Sequence, residues 1–159
     1  MNTQLAIRPS SVTGQSVQYN GAVITSTGVL DWEPVIAAAP GANEVLVRAT
    51  RTLVSPGTEM ALWCGTHAQL HDPINRWAKY PFRPGYCAVG IVEAVGDNIS
   101  DFVPGDRVAY SGRHAGLMMV DVPTALIARV PASLGDDCAP FATFHSIVGG
   151  TRLAMPLLV

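Results

Sequence analysis

Cysteine is scarce in this sequence. Cys64, Cys87 and Cys138 are widely spaced, and no Cys-x-x-Cys pair occurs. That spacing excludes a zinc ribbon and a thioredoxin-type redox pair. An odd number of scattered thiols also argues against a disulfide scaffold and suits a reducing compartment. Charge is sparse too, at 14% of residues with a formal net charge of -2. The ten basic residues form no run, which removes the electrostatic basis for binding nucleic acid or an anionic membrane surface. No apolar stretch approaches the roughly 20 residues needed to span a bilayer. The first twenty residues are rich in Ser, Thr, Gln and Asn and lack the apolar centre of a secretory leader. These absences favour a cytoplasmic address.

What remains is a chain of 159 residues, 48% of them hydrophobic, enough for one domain with a core. Residues 1–19 show no periodicity and read as a flexible extension, leaving 20–159 as the folded domain. Ala22 to Thr27, a break at Gly28, and Val29 to Pro34 predict a hairpin. Pro40-Gly41 marks a turn. Val45, Val47 and Ala49 alternate with Glu44, Leu46 and Arg48, the pattern of a half-buried strand. Ser55-Pro56-Gly57 ends that strand. Met60 to Cys64 suits one helical turn with Thr58 as its N-cap. Residues 65–85 form a long irregular loop with three aromatics, Trp77, Tyr80 and Phe82, which either wall a substrate site or plug the fold.

The most informative stretch runs from Arg83 to Val108. It reads as an alternating strand, a Gly96-Asp97-Asn98 turn, an aromatic anchor at Phe102, a Pro104-Gly105-Asp106 turn and a second strand. Gly90 allows close packing within a strand, and Gly96 and Gly105 suit turns of positive φ. Two further strands follow, over 117–122 and 126–130. Residues 138–153 read as a weak helix interrupted by Gly149-Gly150. Short strands separated by turns predict a mainly β fold, an irregular β-barrel with short helices and a C-terminal helix.

That block resembles the GroES-like catalytic domain of the medium-chain dehydrogenase/reductase (alcohol dehydrogenase-like) family. So do Asn43 to Ala49, Pro56-Gly57-Thr58-Glu59 and the string Ala139 to Ser146. The string from Pro56 to Gly65 is also similar to one in bacteriochlorophyllide dehydrogenases, which oxidise a hydroxyethyl group on a large ring. The resemblance implies an oxidoreductase that moves a hydride between NAD or NADP and an alcohol, a carbonyl or an activated alkene. Where zinc-dependent members carry metal ligands, this sequence has Pro56, Tyr86-Cys87 and a position near Ala139. A catalytic zinc needs three protein ligands, so the resemblance is to the zinc-independent branch, with no metal expected. Members also carry a Gly-x-Gly-x-x-Gly turn for the cofactor pyrophosphate, and this sequence has none. The expected partners are therefore a small-molecule substrate and a missing nucleotide-binding domain, with a homodimer possible. The chain alone is expected to bind no cofactor and to transfer no hydride. A stand-alone binding module or a subunit of a split enzyme is the alternative reading.

The resemblance also nominates site residues. Thr58 matches a proton-relaying hydroxyl, beside its local reading as a helix cap. Tyr86 takes the place of a zinc-binding His and can donate a hydrogen bond to a carbonyl, or simply pack on the cleft wall. His114, in a glycine-flanked loop, suits acid–base work near neutral pH, or anchors that loop. Glu59 can orient the site or act as a base, or be a surface carboxylate in the first helical turn. Glu59, Trp63, Trp77 and Cys87 are the substrate-binding candidates, and Cys87 reads equally as a small buried hydrophobe. Thr143 matches a position that contacts nicotinamide. His67 and His71 are spaced i, i+4 but lack a helix and a third ligand.

Overall fold

The computed structural model describes residues 19–36 and 38–142. Among these residues seven strands and one short helix follow in chain order: β1 (Tyr19–Ser26), β2 (Val29–Val35), β3 (Glu44–Thr52), α1 (Thr58–Trp63), β4 (Ala88–Val95), β5 (Arg107–Tyr110), β6 (Leu117–Asp121) and β7 (Ile127–Arg129). The mainly β architecture expected from the sequence is what the chain forms. The flexible extension assigned to 1–19 lies outside the described residues except for Tyr19, which opens β1. The C-terminal helix assigned to 138–153 lies outside them from residue 143 onward.

β3 to β7 build a five-stranded antiparallel sheet in the order β6-β3-β4-β5-β7. β1 and β2 form a separate antiparallel hairpin, which turns at Gly28 with φ +71°. β3 sits between two neighbours, and its first half is covered on both faces. Val45, Leu46 and Val47 are all buried, so the half-buried alternation expected there holds only toward its end. Alternation marks a strand with one wet face, and these three positions have none.

Val45, Val47, Ala88, Val92, Val108, Tyr110 and Val120 from four strands pack with Phe102 into the core. Phe102 lies in the β4–β5 connection and pins it to the sheet, and the Arg129 guanidinium sits 5.9 Å from its ring centroid. That connection is also tied by its backbone, through Gly105 N to Val92 O at 2.8 Å and Val92 N to Asp106 O at 2.9 Å. Gly105 has φ +95°, as the turn reading requires. Gly96 does not adopt positive φ. A Cβ there would lie 1.9 Å from Gly41 O, so close backbone approach excludes a side chain. Gly90 is similarly confined, with Arg48 O 2.4 Å from a Cβ position.

Arg107 fastens the segment after β7 to the sheet. Its guanidinium donates to Pro131 O at 2.7 Å, to Leu134 O and to Asp136 Oδ1 at 3.2 Å. Thr50 Oγ1 donates to the other Asp136 oxygen at 2.7 Å.

Candidate functional site

The hairpin does not join the larger sheet through a full ladder. It is attached at single bridges, Gly21 to Ala115 and Ile24 to Phe82. Between hairpin, α1 and the loop after β5 lies a cavity of about 260 Å³. Ala22 and Ile24 come from β1, Leu30 and Trp32 from β2, and Met60 and Trp63 from α1. Thr52, Val54 and Pro84 complete its sides with Glu59 and His114. Leu30 and Trp32 face the same side of β2 because strand side chains alternate.

Two titratable groups meet in this largely apolar wall. α1 starts after Ser55-Pro56-Gly57, and its N-cap is Gly57, with no side-chain cap hydrogen bond. Thr58 is thus the first helical residue and not the cap the sequence suggested. Glu59, the second helical residue, ties α1 to the turn before it. Its carboxylate reaches back to accept from the Ser55 amide at 2.5 Å. That bond turns Glu59 inward to 3% exposure, which overturns the surface-carboxylate reading.

His114 is placed by its backbone. Its amide donates to Pro84 O at 2.9 Å, and its carbonyl accepts from the Ala22 amide at 2.8 Å. Gly85, at φ +114°, allows the chain to run against residues 113 and 114. His114 Nε2 stands 3.0 Å from Glu59 Oε1, with side-chain exposures of 11% and 4%. The two atoms are close without being aligned. Among the described residues Glu59 Oε1 and both ring nitrogens lack a hydrogen-bond partner of good geometry. The contact is therefore a charge-to-dipole or ion contact and not a directed hydrogen bond. Burial alone would raise the Glu59 carboxyl. The nearness of His114 and the amides of Ser55 and Gly85 outweigh it and hold the carboxyl below its usual value.

A second ionic cluster sets the distance between the cavity's two sides. Arg83 grips Glu33 of β2 with Nε at 2.5 Å and Nη2 at 2.8 Å, and Arg113 Nη1 adds a contact at 3.1 Å. The hydrogen bond from Arg83 is the main reason the Glu33 carboxyl lies below its usual range. Trp32 is thereby held in reach of His114, which both line this cavity and a more open hollow of about 230 Å³ beside it.

Of the residues nominated from the sequence, Glu59, Trp63 and His114 come together here. Thr58, half-buried, precedes Glu59. Tyr86 is half-buried two residues past Pro84. Cys87 is fully buried, and its carbonyl accepts from the Leu53 amide at 2.9 Å. Trp77 is 51% exposed and stands edge-on to His67 and Phe82, with centroids 5.0 and 6.3 Å away. Tyr80 donates to Leu62 O at 2.5 Å and lies 3.3 Å from Thr27 Oγ1, joining α1 to the hairpin turn. Thr143 lies outside the described residues. Among the described residues no three His, Cys, Asp or Glu side chains gather as metal ligands. Sequence reading missed Leu30, Trp32 and Met60. The first two carry a faint signal, an apolar i, i+2 pair on a hairpin strand.

A mainly β domain with a cleft beside the Pro-Gly-Thr-Glu turn defines a class, the GroES-like domain. Residues 41–139 match the family described as the alcohol dehydrogenase GroES-like domain, and the chain belongs to it. The rat quinone oxidoreductase is 32% identical over 124 residues, covering 70% of this chain and 35% of its own length. Alcohol dehydrogenase class-3 of Pisum sativum is 33% identical over 126 residues, covering 72% of this chain and 31% of its own. Among solved structures, the quinone oxidoreductase of Pseudomonas syringae superposes with TM-score 0.65 at 21% identity, covering 89% of this chain and 42% of that one. The Escherichia coli quinone oxidoreductase, solved in complex with NADPH, superposes with TM-score 0.62 at 20% identity, covering 84% of this chain and 40% of that one. The chain spans less than half the length of these relatives.

Proposed function

We propose that this chain is the substrate side of a zinc-independent, NAD(P)-dependent medium-chain oxidoreductase that interconverts an alcohol and a carbonyl, or reduces an activated alkene. One observation carries the reading: in a domain of this family, a carboxylate–imidazole pair is buried in the wall of an apolar cavity. The nicotinamide, when bound, supplies or accepts the hydride, and the residues to hold its pyrophosphate are sought outside this sequence. The chain's own residues supply the rest. In alcohol oxidation the hydroxyl proton passes to the His114 imidazole as the hydride leaves carbon. The imidazolium so formed is stabilised by Glu59 at 3.0 Å, in a setting where exclusion of water strengthens the attraction. In the reverse direction His114 returns that proton to the oxygen. The family resemblance gives Thr58 an outward proton path and Tyr86 a hydrogen bond to the substrate oxygen, and both stand beside the cavity lining and not in it. Orientation of the two reactants is worth about 7–11 kcal/mol of barrier, so the chain without a cofactor-holding domain transfers hydride at a negligible rate.

The test is a fusion of this chain to the nucleotide-binding half of a family member, assayed for NAD(P)H formation or consumption with alcohols, carbonyls and activated alkenes. Transfer that is lost in His114→Ala and proceeds without bound zinc is the expected result. No transfer from any substrate class overturns the redox reading, and stoichiometric zinc in the purified protein overturns the choice of branch.

A further inference from the structure

The cavity's chemistry points to what it admits. We propose that it takes a flat, apolar molecule of one or two rings that presents a single neutral hydroxyl or carbonyl to His114, and that it rejects carboxylates, phosphates and polyols. This deepens the oxidoreductase reading and rests on it only for what happens after binding.

Size sets the first limit. A cavity of about 150 Å³ holds one benzene ring, and this one measures about 260 Å³. Its walls set the second. Leu30, Trp32, Met60 and Trp63 offer two indoles and two flexible aliphatic chains, surfaces that stack on rings and adapt to their edges. A sugar or other polyol would leave several hydroxyls against these walls without partners, at a cost for each.

Charge sets the third. Among the described residues no Lys or Arg lines the cavity. Three guanidiniums adjoin its wall in sequence, and all are engaged: Arg83 and Arg113 with Glu33, and Arg51 with Asp137 and the Thr50 carbonyl. Among the described residues of the wall the carboxylate is that of Glu59, 4% exposed, whose Oε1 lacks an aligned donor. An incoming carboxylate would meet that charge in a poorly screened setting. A neutral hydroxyl or carbonyl instead finds an imidazole with both ring nitrogens uncommitted to an aligned hydrogen bond among the described residues.

The sequence's three tryptophans provide the readout. Trp32 and Trp63 line the cavity, whereas the Trp77 indole is turned to Gln69 Oε1 at 3.0 Å. In the unmodified chain near neutral pH, the indole N–H resonances are followed during titration with benzyl alcohol, benzaldehyde, benzoate and glycerol. Trp32→Phe and Trp63→Phe assign the signals. Benzyl alcohol and benzaldehyde are expected to move the Trp32 and Trp63 signals and leave that of Trp77 in place. Benzoate is expected to bind at least about tenfold more weakly, and glycerol not at all. Glu59→Gln, which keeps shape and removes charge, should narrow the gap between alcohol and benzoate to about threefold or less. Equal response to benzoate, equal response of all three indoles, or no response to either neutral ligand overturns the proposal. A chain that binds as expected while the fusion transfers no hydride retains this pocket and loses the redox reading. A fusion that transfers hydride to other substrates, with no ring binding, does the reverse.

Discussion

Gly85 and His114 are locked by backbone approach: a Cβ on Gly85 would lie 2.2 Å from the His114 amide nitrogen. Gly85 also holds φ +114°, a conformation that costs an L side chain about 1–3 kcal/mol. Gly85→Ala must therefore push the His114 loop away from Pro84. Urea unfolding is expected to show a loss of about 2 kcal/mol or more. Benzyl alcohol binding should fall in the same variant even where it remains folded.

Acid should unfold the protein for a nameable reason. Glu33, Glu59 and Asp106 all have carboxyls below their ordinary values. A group depressed in the folded state stabilises fully above its unfolded value, and that contribution disappears as pH falls through the folded one. Stability is thus expected to be level near neutrality and to drop below the ordinary glutamate value of 4.5. Glu59→Gln should make that drop shallower, by at most about 1.4 kcal/mol per pH unit, the slope of one proton. Urea titrations at a series of acidic pH values measure it, and an unchanged slope would show that Glu59 is not held in its charged form.

Gly96 and Gly105 separate space from conformation. Gly105→Ala meets open space but keeps φ +95°, so a loss of about 1–2 kcal/mol is expected from backbone strain alone. Gly96→Ala meets Gly41 O at 1.9 Å and Ala42 O at 2.6 Å. Backbone atoms on both sides cannot yield cheaply, and the variant is expected to lose more than Gly105→Ala, by about 2 kcal/mol or more. Thermal or urea unfolding of the two variants side by side settles the order.

Tyr110 is 1% exposed, and its hydroxyl lacks a partner among the described residues. Burial pushes that phenol well above its ordinary value. Removing a buried, unpaired hydroxyl relieves a desolvation cost. Tyr110→Phe is therefore expected to keep the fold and to match or exceed the parent's stability, by up to about 1 kcal/mol. A clear loss of stability would mean that the hydroxyl is satisfied after all.

Most strands were legible because their signals are local. Alternation around Gly28, the Gly-Asp-Asn and Pro-Gly-Asp turns, and the break at Pro56 each sit within a few residues of what they specify. Two conformational readings failed where a neighbour distant in sequence decides. Gly96 looks like a turn glycine until Gly41 is found against it, and Leu46 looks solvent-facing until both faces of its strand prove to be covered. The site was half legible. Glu59, Trp63 and His114 were named from motif and loop chemistry, yet nothing local says that Glu59 and His114, fifty-five positions apart, meet within 3.0 Å. Trp32 went unnoticed because an exposed indole on a hairpin gains meaning only once α1 is seen opposite it. The Glu33–Arg83–Arg113 cluster left no trace in spacing at all.

The hairpin rests against the rest of the domain through isolated bridges, one ionic clasp and the contacts of its turn with Tyr80 and Trp63, while the main sheet is zipped strand to strand. Exchange of backbone amide hydrogens should accordingly be fast in β1 and β2 and slow in β3 and β4. The pocket would then vanish before the main sheet melts, so thermal stability measured on the whole protein would overstate the range over which it can hold a ligand.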